Sequence, residues 1–569
     1  MLFDKFRFNS TKTPRFDVRR SWSVAWGKVN LNSEDVAWRE DKLTIIAPKN
    51  AIAISPNRQF VVVGDLWLSN RVELLFNLKL SPANSVNDAE IVALAWEKWG
   101  FECLHQLRGM YALAIWDRDR QILYCVRDCS GGRTLYYTIN NDVCWISPKL
   151  KTLAPYRSVD LDWVALRDYL TTAFVPGERT LWRDIKEIRP GTFVQFPDRK
   201  ITSYWQLQEN IQAARSLAWH GERLRSLLDL VVREYLPPQK PVGVFLSGGL
   251  DSSSITALAA KFHDSPVHTY SIHFGDRTPN ELEFSSLVAS HCQTQHHVLE
   301  ISFQDMWERL PETMAYLDDP IGDPLTVPNL LLARLAKADV EVILNGEGGD
   351  PCFGGPKNQP MLINNLYGSV TQQDALQAYL NSFKKCAAFL PQLLKSEIWQ
   401  EVATQPSVFS PDLTSDRNYL NRLMAINIKF KGADHILTKV NNLTQAENLL
   451  GLSPLFDRRI VEFSMEVPPL HKSLVREKAV LKQAVSDILP KVIIDRPKSG
   501  MMVPVQMGFR EYWRKEARNL LLNPKAEIAP YINRDLVGKW LEFRGDTWGR
   551  YGIKLWLLTS LEIWLRVNK

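Results

Sequence analysis

Hydrophobic and polar positions alternate along the first third of the chain in short runs bounded by turn-forming residues. Such runs are typical of antiparallel β-strands, and the clearest lie at residues 43–47, 59–68, 111–117, 122–128 and 192–196. Two longer segments, 89–100 and 162–173, repeat apolar residues at spacings of three and four and predict helices. We therefore expect an α+β domain over residues 1–205.

A different rhythm follows a boundary near residues 206–222. Residues 241–262 predict a buried strand, a glycine-rich turn and a helix, and 269–274 with 281–293 predict a second strand and helix. Residues 340–350 predict another strand that ends in a glycine turn. Strands that alternate with helices indicate a parallel α/β sheet, and from about residue 365 helical patterns dominate. The second domain is predicted over 206–569.

Composition narrows the class of protein. The chain has 569 residues, of which 45% are hydrophobic and 23% charged, so a mainly disordered or fibrous protein is excluded. A net charge of +6 on a chain of this size gives no indication of a nucleic-acid partner. The 19 tryptophans indicate large buried cores rather than a stacking surface for bases.

The cysteine pattern and the length of the apolar runs indicate the cellular compartment of the protein. Seven cysteines without a CxxC pair or zinc-ligand spacing indicate reduced thiols rather than a disulfide framework. No run of about 18 apolar residues predicts a membrane span, and residues 1–20 lack the apolar core of a signal peptide. We expect a cytoplasmic protein with no membrane partner.

The strongest chemical signal is a loop between the predicted strand and helix at 241–262. It reads Ser247, Gly248, Gly249, Leu250, Asp251, Ser252 and Ser253. Glycines let backbone N–H groups approach an anion, serine hydroxyls add donors, and a carboxylate such as Asp251 can hold Mg²⁺. The loop predicts a binding site for pyrophosphate. The same sequence is also compatible with a glycine- and serine-rich turn that caps a helix and binds no ligand.

A second loop strengthens the prediction of a ligand site. Asn345, Gly346, Glu347, Gly348, Gly349 and Asp350 follow another predicted strand, where ligands bind in open α/β sheets. Asp251 and Asp350 are therefore predicted to share one Mg²⁺. Either carboxylate alone is more often a helix cap or a solvated turn.

These loops, with residues 318–328 (DDPIGDPLTVP) and 495–504 (DRPKSGMMVP), resemble the asparagine synthetase family. The N-terminal segments 107–137 and 180–191 are similar to that family's glutaminase domain. The resemblance implies an Ntn-hydrolase-like sandwich followed by an ATP-pyrophosphatase domain, of the adenine nucleotide α-hydrolase-like class, with a helical C-terminal part. It also implies that MgATP activates a carboxylate as an acyl-adenylate, which an amine attacks to form an amide.

The resemblance assigns roles to particular residues. Lys478 and Lys498 match positions that offset charge on the departing pyrophosphate, and Glu347 matches a base or orienting group. Leu246, Ile272, Asn345 and Gly346 match positions that line the adenosine. ATP and Mg²⁺ are the implied cofactors, the latter held by Asp251 and Asp350.

The N-terminal half departs from the glutamine-hydrolysing pattern. The family begins Met-Cys-Gly, and its cysteine is the nucleophile, whereas this chain begins with Met1, Leu2 and Phe3. Where the family has the Asn-Gly of the glutaminase oxyanion site, this chain has Val63 and Gly64. The family's aspartate is retained as Asp88. We expect a degenerate glutaminase domain that does not hydrolyse glutamine.

The second half departs where the family selects its substrates. The family's Glu and Arg read Leu450 and Leu452, and the acidic residue that follows the second loop reads Pro351. Glu447 is a candidate replacement, but a solvated helix carboxylate is at least as good an interpretation. Free aspartate is therefore not the expected substrate.

The resemblance extends to β-lactam synthetases and to lasso-peptide macrolactam synthetases, which lack the N-terminal cysteine and use an amine already present in the substrate. The first hypothesis is a cyclase that adenylates an Asp or Glu side chain of a precursor peptide; a leader-peptide protease or recognition protein is then a further partner. The alternatives are an ammonia- or amine-dependent amidotransferase on a small carboxylate, including β-lactam closure, and a non-catalytic scaffold.

Overall fold

Two antiparallel sheets and one parallel sheet carry the fold. The computed structural model describes residues 21–29, 36–48, 51–81, 86–355, 361, 372–474, 477–497, 502–546 and 549–569.

The N-terminal half contains two six-stranded antiparallel sheets. The first has the order β10-β8-β9-β1-β3-β2 and the second β12-β11-β7-β6-β5-β4. The strands are β1 Ser23–Trp26, β2 Val36–Glu40, β3 Leu43–Ile46, β4 Ile52–Ile54, β5 Phe60–Leu68, β6 Gly109–Asp117, β7 Ile122–Arg127, β8 Tyr136–Asn140, β9 Val143–Ser147, β10 Ile185–Glu187, β11 Thr192–Phe196 and β12 Lys200–Ser203.

Alternation along these strands builds a sandwich. Val24 and Ile45 of the first sheet pack with Val61, Val63 and Trp116 of the second in one buried cluster. The helix Asp88–Trp99, which begins with a capping box of Asn87 and Glu90, covers the outer face of the second sheet. The helix Trp163–Thr172 belongs to the cluster on the outside of the first sheet. This layered sandwich is the Ntn-type architecture that the resemblance implied.

The second half is built on a five-stranded parallel sheet. Its order is β15-β14-β13-β16-β17. The strands are β13 Val242–Phe245, β14 Val267–His273, β15 Gln295–Glu300, β16 Val342–Leu344 and β17 Leu450–Leu452. An α/β ATP-pyrophosphatase-like domain is therefore confirmed.

Helices flank this sheet and make up most of the remaining chain. Those before residue 355 are Leu217–Tyr235, Leu250–Phe262, Leu282–His291, Phe303–Glu308, Leu310–Tyr316, Thr326–Ala336 and Gly349–Phe353. The later ones include Gln372–Ser382, Ser396–Val402, Tyr419–Ile426, Thr438–Ala446, Arg458–Glu466, Ala479–Ala484, Lys491–Asp495, Arg514–Leu521, Arg534–Leu541 and Tyr551–Asn568. Segments Asn427–Leu437, Leu470–Leu474 and Gly508–Tyr512 have π-helical hydrogen bonding. In the described parts of the chain, no helix combines the length and the apolar character that a membrane crossing needs.

Of the twelve strands described in the N-terminal half, the alternation pattern located β3, β5, β6, β7 and β11 to within one or two residues. It missed β17, since this three-residue strand lies in a region dominated by helical periodicity. β17 pairs with β16 from a distance of more than 100 residues, and local patterning does not report such pairing. All seven cysteines are free, as expected, and six of them are buried.

The acidic segment 318–328 joins the two halves. Asp318 accepts hydrogen bonds from the Leu150 backbone N–H at 3.1 Å and from the Asn442 side-chain amide at 2.7 Å. Asp319 accepts from the Leu181 N–H at 3.0 Å, and its burial raises the pKa of that carboxyl well above its usual range. N-terminal backbone donors thus hold carboxylates that belong to the second half.

The helix Leu217–Tyr235 packs against the strand β13, which precedes the first glycine loop. Leu228 is fully buried in a cluster with Val244, Val480 and Leu481, whereas Leu230 on the same helix is 46% exposed. We predict that Leu228→Ala lowers the free energy of unfolding by about 2–5 kcal/mol, because it leaves a cavity. Leu230→Ala is the matched control, with an expected change of about 0.5 kcal/mol or less. Urea titration of both variants tests this, and equal losses would contradict the assigned packing.

Candidate functional site

The two glycine loops lie at the same edge of the parallel sheet. β13 pairs with β14 on one side and with β16 on the other, all in parallel register. The loop 246–249 follows β13 and the loop 345–348 follows β16. Carboxyl ends of adjacent parallel strands meet at one edge, so the loops are neighbours, where ligands bind in such sheets.

Internal hydrogen bonds shape the first loop. Ser247 and Ser252 hydroxyls lie 3.1 Å apart, and the Ser252 hydroxyl also accepts from the Ser247 N–H at 3.2 Å. Gly248 has φ +74°, and a Cβ there would lie 2.6 Å from the Ser285 backbone nitrogen. Gly249 precedes the helix Leu250–Phe262 and has no side chain to cap it. The positive end of that helix thus faces the loop, as in sites that bind anions.

Close backbone approach joins the two loops. A Cβ on Gly346 would lie 2.3 Å from the Ser252 nitrogen, and one on Gly349 would lie 2.2 Å from the Asp251 carboxyl carbon. Only glycine allows this contact. Asn345 completes the loop, since its side-chain oxygen accepts from the Glu347 N–H at 3.0 Å and its amide donates to the Leu452 carbonyl at 3.0 Å.

Lys478 lies between the two predicted magnesium ligands. Its Nζ is 2.5 Å from Asp251 Oδ2 and 2.6 Å from Asp350 Oδ1, and the residue is 2% exposed. Burial alone lowers the pKa of Lys478, but the facing carboxylates outweigh it and hold the pKa well above its ordinary value. Its backbone is left-handed, with φ +52°, immediately before the helix Ala479–Ala484.

This arrangement fits the predicted cofactors. The paired carboxylates already face one cation, the Lys478 ammonium, and oxygen ligands of this kind suit Mg²⁺. The glycine cradle leaves backbone donors for phosphate oxygens. Leu246 and Ile272, predicted to line the adenosine, are buried at the carboxyl ends of β13 and β14. The structure brings these residues together; their roles stay predictions.

A charged cluster extends from Glu347 toward the domain interface. Lys439, 2% exposed, donates to Asp323 at 2.8 Å, and His435 lies 3.1 Å from the same carboxylate oxygen. Burial lowers the pKa of Lys439, but Asp323 and then Glu347 raise it above its ordinary value overall. Burial lowers the pKa of His435 to about 4, so this imidazole is neutral at pH 7.

The late basic loop begins against the first glycine loop. Arg496 donates to the Gly248 carbonyl at 3.0 Å and pairs with Glu281 at 2.5 Å. Lys498, predicted to act on the pyrophosphate, lies outside the described residues.

Glu447 is held away from the carboxyl edge. It is 5% exposed and pairs with Arg334 at 2.7 Å and Lys337 at 2.5 Å, so the interpretation as a solvated carboxylate was wrong. Leu450 and Leu452 lie in β17, and Pro351 is buried in the short helix after the second loop. Apolar side chains therefore occupy all three positions that are charged in the family.

The described residues at the glutaminase positions, Val63 and Asp88, are engaged in core packing and in an ion pair. Val63 is fully buried in the sandwich core, and Asp88 pairs with Arg71 at 2.5 Å. Burial raises the pKa of Cys129 to about 12, and it raises the pKa values of the Cys103, Cys125 and Cys144 thiols as well. None of these four is a thiolate at neutral pH. Leu2 lies outside the described residues.

Sequence reasoning missed several residues next to the site, namely Asp323, His435, Lys439, Asn441 and Arg496. Asn441 donates to the Gly132 carbonyl at 2.9 Å and accepts from Arg133, which joins the two domains. Asp323 and Arg496 lie in the segments 318–328 and 495–504, which carry the resemblance. For the other three, the available signal was a buried helical face that carries polar residues over 434–442, since such residues require partners when buried.

Lys472 supplies a pH-dependent test of the segment that leads to Lys478. It is fully buried, donates to Asn421 at 2.7 Å, and burial lowers its pKa from 10.5 to about 7. Between about pH 7 and 10 the unfolded chain keeps a proton that the folded chain has lost, so stability rises with pH in this window.

We predict that wild-type stability, relative to Lys472→Met, increases by up to about 1.4 kcal/mol per pH unit from pH 7.5 to 9.5. Urea titrations at several pH values measure it. Lys525→Met, at an exposed lysine, serves as the control and should run parallel to the wild type. Parallel curves for Lys472→Met would show that Lys472 stays charged in the folded state.

Comparison with known proteins agrees with this architecture. The profile of the family described as asparagine synthase matches residues 223–566, and that of a glutamine amidotransferase domain matches residues 31–205. Asparagine synthetase [glutamine-hydrolyzing] 1 of Bacillus subtilis is 26% identical over 528 residues, covering 85% of this chain and 82% of its own. Asparagine synthetase [glutamine-hydrolyzing] 3 of the same organism is 28% identical over 452 residues, covering 73% and 70%.

A solved structure is more distant. The glutamine phosphoribosylpyrophosphate amidotransferase of B. subtilis, complexed with ADP and GMP, is 11% identical and covers 49% of this chain and 59% of its own, with a TM-score of 0.23. The assignment therefore depends on the family profile, which matches more than half of the residues. The chain belongs to the asparagine synthase family, whose members are ATP-dependent amide-forming ligases.

Proposed function

We propose that this protein adenylates a carboxylate of a peptide and joins it to an amine of the same substrate, as in macrolactam closure of a lasso peptide. The supporting observation is an asymmetry between the two halves. The carboxyl edge of the parallel sheet has its glycine loops, Asp251, Asp350 and Lys478 assembled, whereas the described N-terminal half offers no thiolate. An amine from glutamine is therefore not the expected nucleophile.

Two steps account for the product. A carboxylate oxygen of the substrate attacks the α-phosphorus of ATP, and pyrophosphate leaves. The amine nitrogen then attacks the acyl carbon, loses a proton and expels AMP. Negative charge develops on the leaving pyrophosphate in the first step, and a preorganised cation is the strongest available stabiliser for it.

The residues of the site divide this work. The loop Ser247–Ser253 offers backbone and hydroxyl donors to the pyrophosphate, and Lys478 offers its ammonium. Asp251 and Asp350 would hold Mg²⁺, which supplies further charge neutralisation. Glu347, in the second glycine loop, would orient the amine or accept its proton.

Apolar residues at two positions that are charged in the family favour a peptide substrate over a free amino acid. Leu450 and Leu452 replace a Glu and an Arg that would bind the charged groups of a free amino acid. Leu452 is 1% exposed, and its carbonyl is occupied by Asn345. A peptide has fewer charges near its reacting side chain than a free amino acid has. Its binding is therefore weakened less when the charged residues are replaced by leucines.

We predict that Asp350→Asn lowers ATP–pyrophosphate exchange by on the order of 100-fold, since it removes a predicted ligand of the Mg²⁺ that would neutralise charge on the leaving group. Lys478→Met should have a comparable effect. Asp416→Asn, at an exposed aspartate, is the control and should retain full exchange. Circular dichroism checks folding. Full exchange in Asp350→Asn would remove Asp350 from the mechanism.

A second prediction concerns the substrates. Exchange should depend on a precursor peptide with an Asp or Glu at its ring position, and it should be missing with free aspartate. No glutamate should be released from glutamine under the same conditions. Exchange with aspartate, with or without ammonia, would instead support the amidotransferase alternative. Glutamate release would disprove the loss of glutaminase chemistry. Failure to bind MgATP would instead support the hypothesis of a non-catalytic scaffold.

A further inference from the structure

A second cluster of ionisable side chains lies at the opposite edge of the parallel sheet. It consists of His268 of β14, His297 of β15 and Asp339 in the turn before β16. His297 is paired in register with Tyr270, two residues after His268, so both imidazoles project from the same face of the sheet. The site-forming loops follow the carboxyl ends of the strands, whereas this cluster is at the amino ends.

Three atoms of the cluster converge. His268 Nδ1 is 3.1 Å from His297 Nε2, and Asp339 Oδ2 is 4.0 Å from the former and 3.8 Å from the latter. A triangle with sides of 3.1, 4.0 and 3.8 Å has a circumscribed radius of about 2.1 Å, which matches the bond lengths of Zn²⁺ to imidazole nitrogen and carboxylate oxygen. The three atoms are therefore spaced as ligands of a single ion.

The surroundings fix the ligands. The Tyr270 hydroxyl donates to Asp339 Oδ2 at 3.0 Å, and its ring stacks on His297 with centroids 4.9 Å apart. Such outer hydrogen bonds orient metal-bound carboxylates.

We propose that His268, His297 and Asp339 bind a divalent transition metal, Zn²⁺ in particular, at the amino edge of the sheet. Two imidazoles and a carboxylate are a donor set for Zn²⁺ and are unsuited to Mg²⁺, which requires oxygen ligands. His297 and Asp339 are about one-third exposed, so water reaches the fourth position.

The position of this site indicates a structural role. Its ligands come from two neighbouring strands and from the turn between the helix Thr326–Ala336 and β16. A bound ion would cross-link these elements from the side opposite the ATP loops. It would therefore raise the thermal stability of the sheet and leave the chemistry at the carboxyl edge unchanged.

Equilibrium dialysis of the full chain, freed of any affinity tag and treated with EDTA, tests the proposal. With Zn²⁺ at micromolar free concentration, wild-type protein should retain about one equivalent by elemental analysis. His297→Gln and Asp339→Asn should lose it, and Tyr270→Phe should weaken binding roughly tenfold. His296→Gln removes a histidine from the same strand and should bind normally, because its side chain points to the opposite face.

A spectroscopic and a thermal readout accompany the dialysis. Co²⁺ in place of Zn²⁺ should give d–d absorption in the wild type and in His296→Gln only. Zn²⁺ should raise the melting temperature of the same two proteins. Failure of the wild type to bind Zn²⁺ would overturn the proposal. Binding of Zn²⁺ by His297→Gln and Asp339→Asn at the wild-type level would also overturn it. In either case the cluster would be an ordinary hydrogen-bond network.

Discussion

The burial of one ammonium between two carboxylates organises the carboxyl edge of the parallel sheet. Lys478 is almost inaccessible to water, and such a cation is stable only when opposite charge compensates its lost hydration. Asp251 and Asp350 provide that charge from two separate loops. The loops must then approach each other as closely as glycine permits at Gly346 and Gly349. Three segments distant in sequence are thus fixed by one electrostatic requirement.

The same edge continues into the interface between the domains. Glu347 leads to Lys439, Asp323 and His435, and the helix that carries Lys439 also carries Asn441 and Asn442. These two amides reach Gly132 in the N-terminal half and Asp318 in the acidic segment. Asp318, His435, Lys439, Asn441 and Asn442 are buried, so removal of one of them leaves the polar group of another unsatisfied. Polar interactions thus link the surroundings of Glu347, the proposed orienting group or base for the amine, to the N-terminal domain.

Sequence alone predicted what depends on local pattern. Both domain classes, the longer strands of the second antiparallel sheet and both glycine loops followed from periodicity and turn residues, since these signals lie within a few positions of each other. The contacts of Lys478 with Asp251 span 227 residues, and nothing near either residue indicates the pairing. The cluster of His268, His297 and Asp339 depends on strand register, and Glu447 depends on which face of its helix meets Arg334. Register and helix rotation are set by tertiary packing, so neither was available beforehand.

The acidic segment has a consequence for how the protein can change over generations. Asp318 and Asp319 depend on N–H groups of Leu150 and Leu181, which are main-chain atoms and persist whatever side chain occupies those positions. Substitutions can therefore erase an ancestral active site in the N-terminal half while its scaffold continues to satisfy the ligase. Deletion of that half would instead remove the N–H donors of the Asp318 and Asp319 carboxylates. Selection on amide formation alone is then enough to retain about 200 residues that need perform no catalysis of their own.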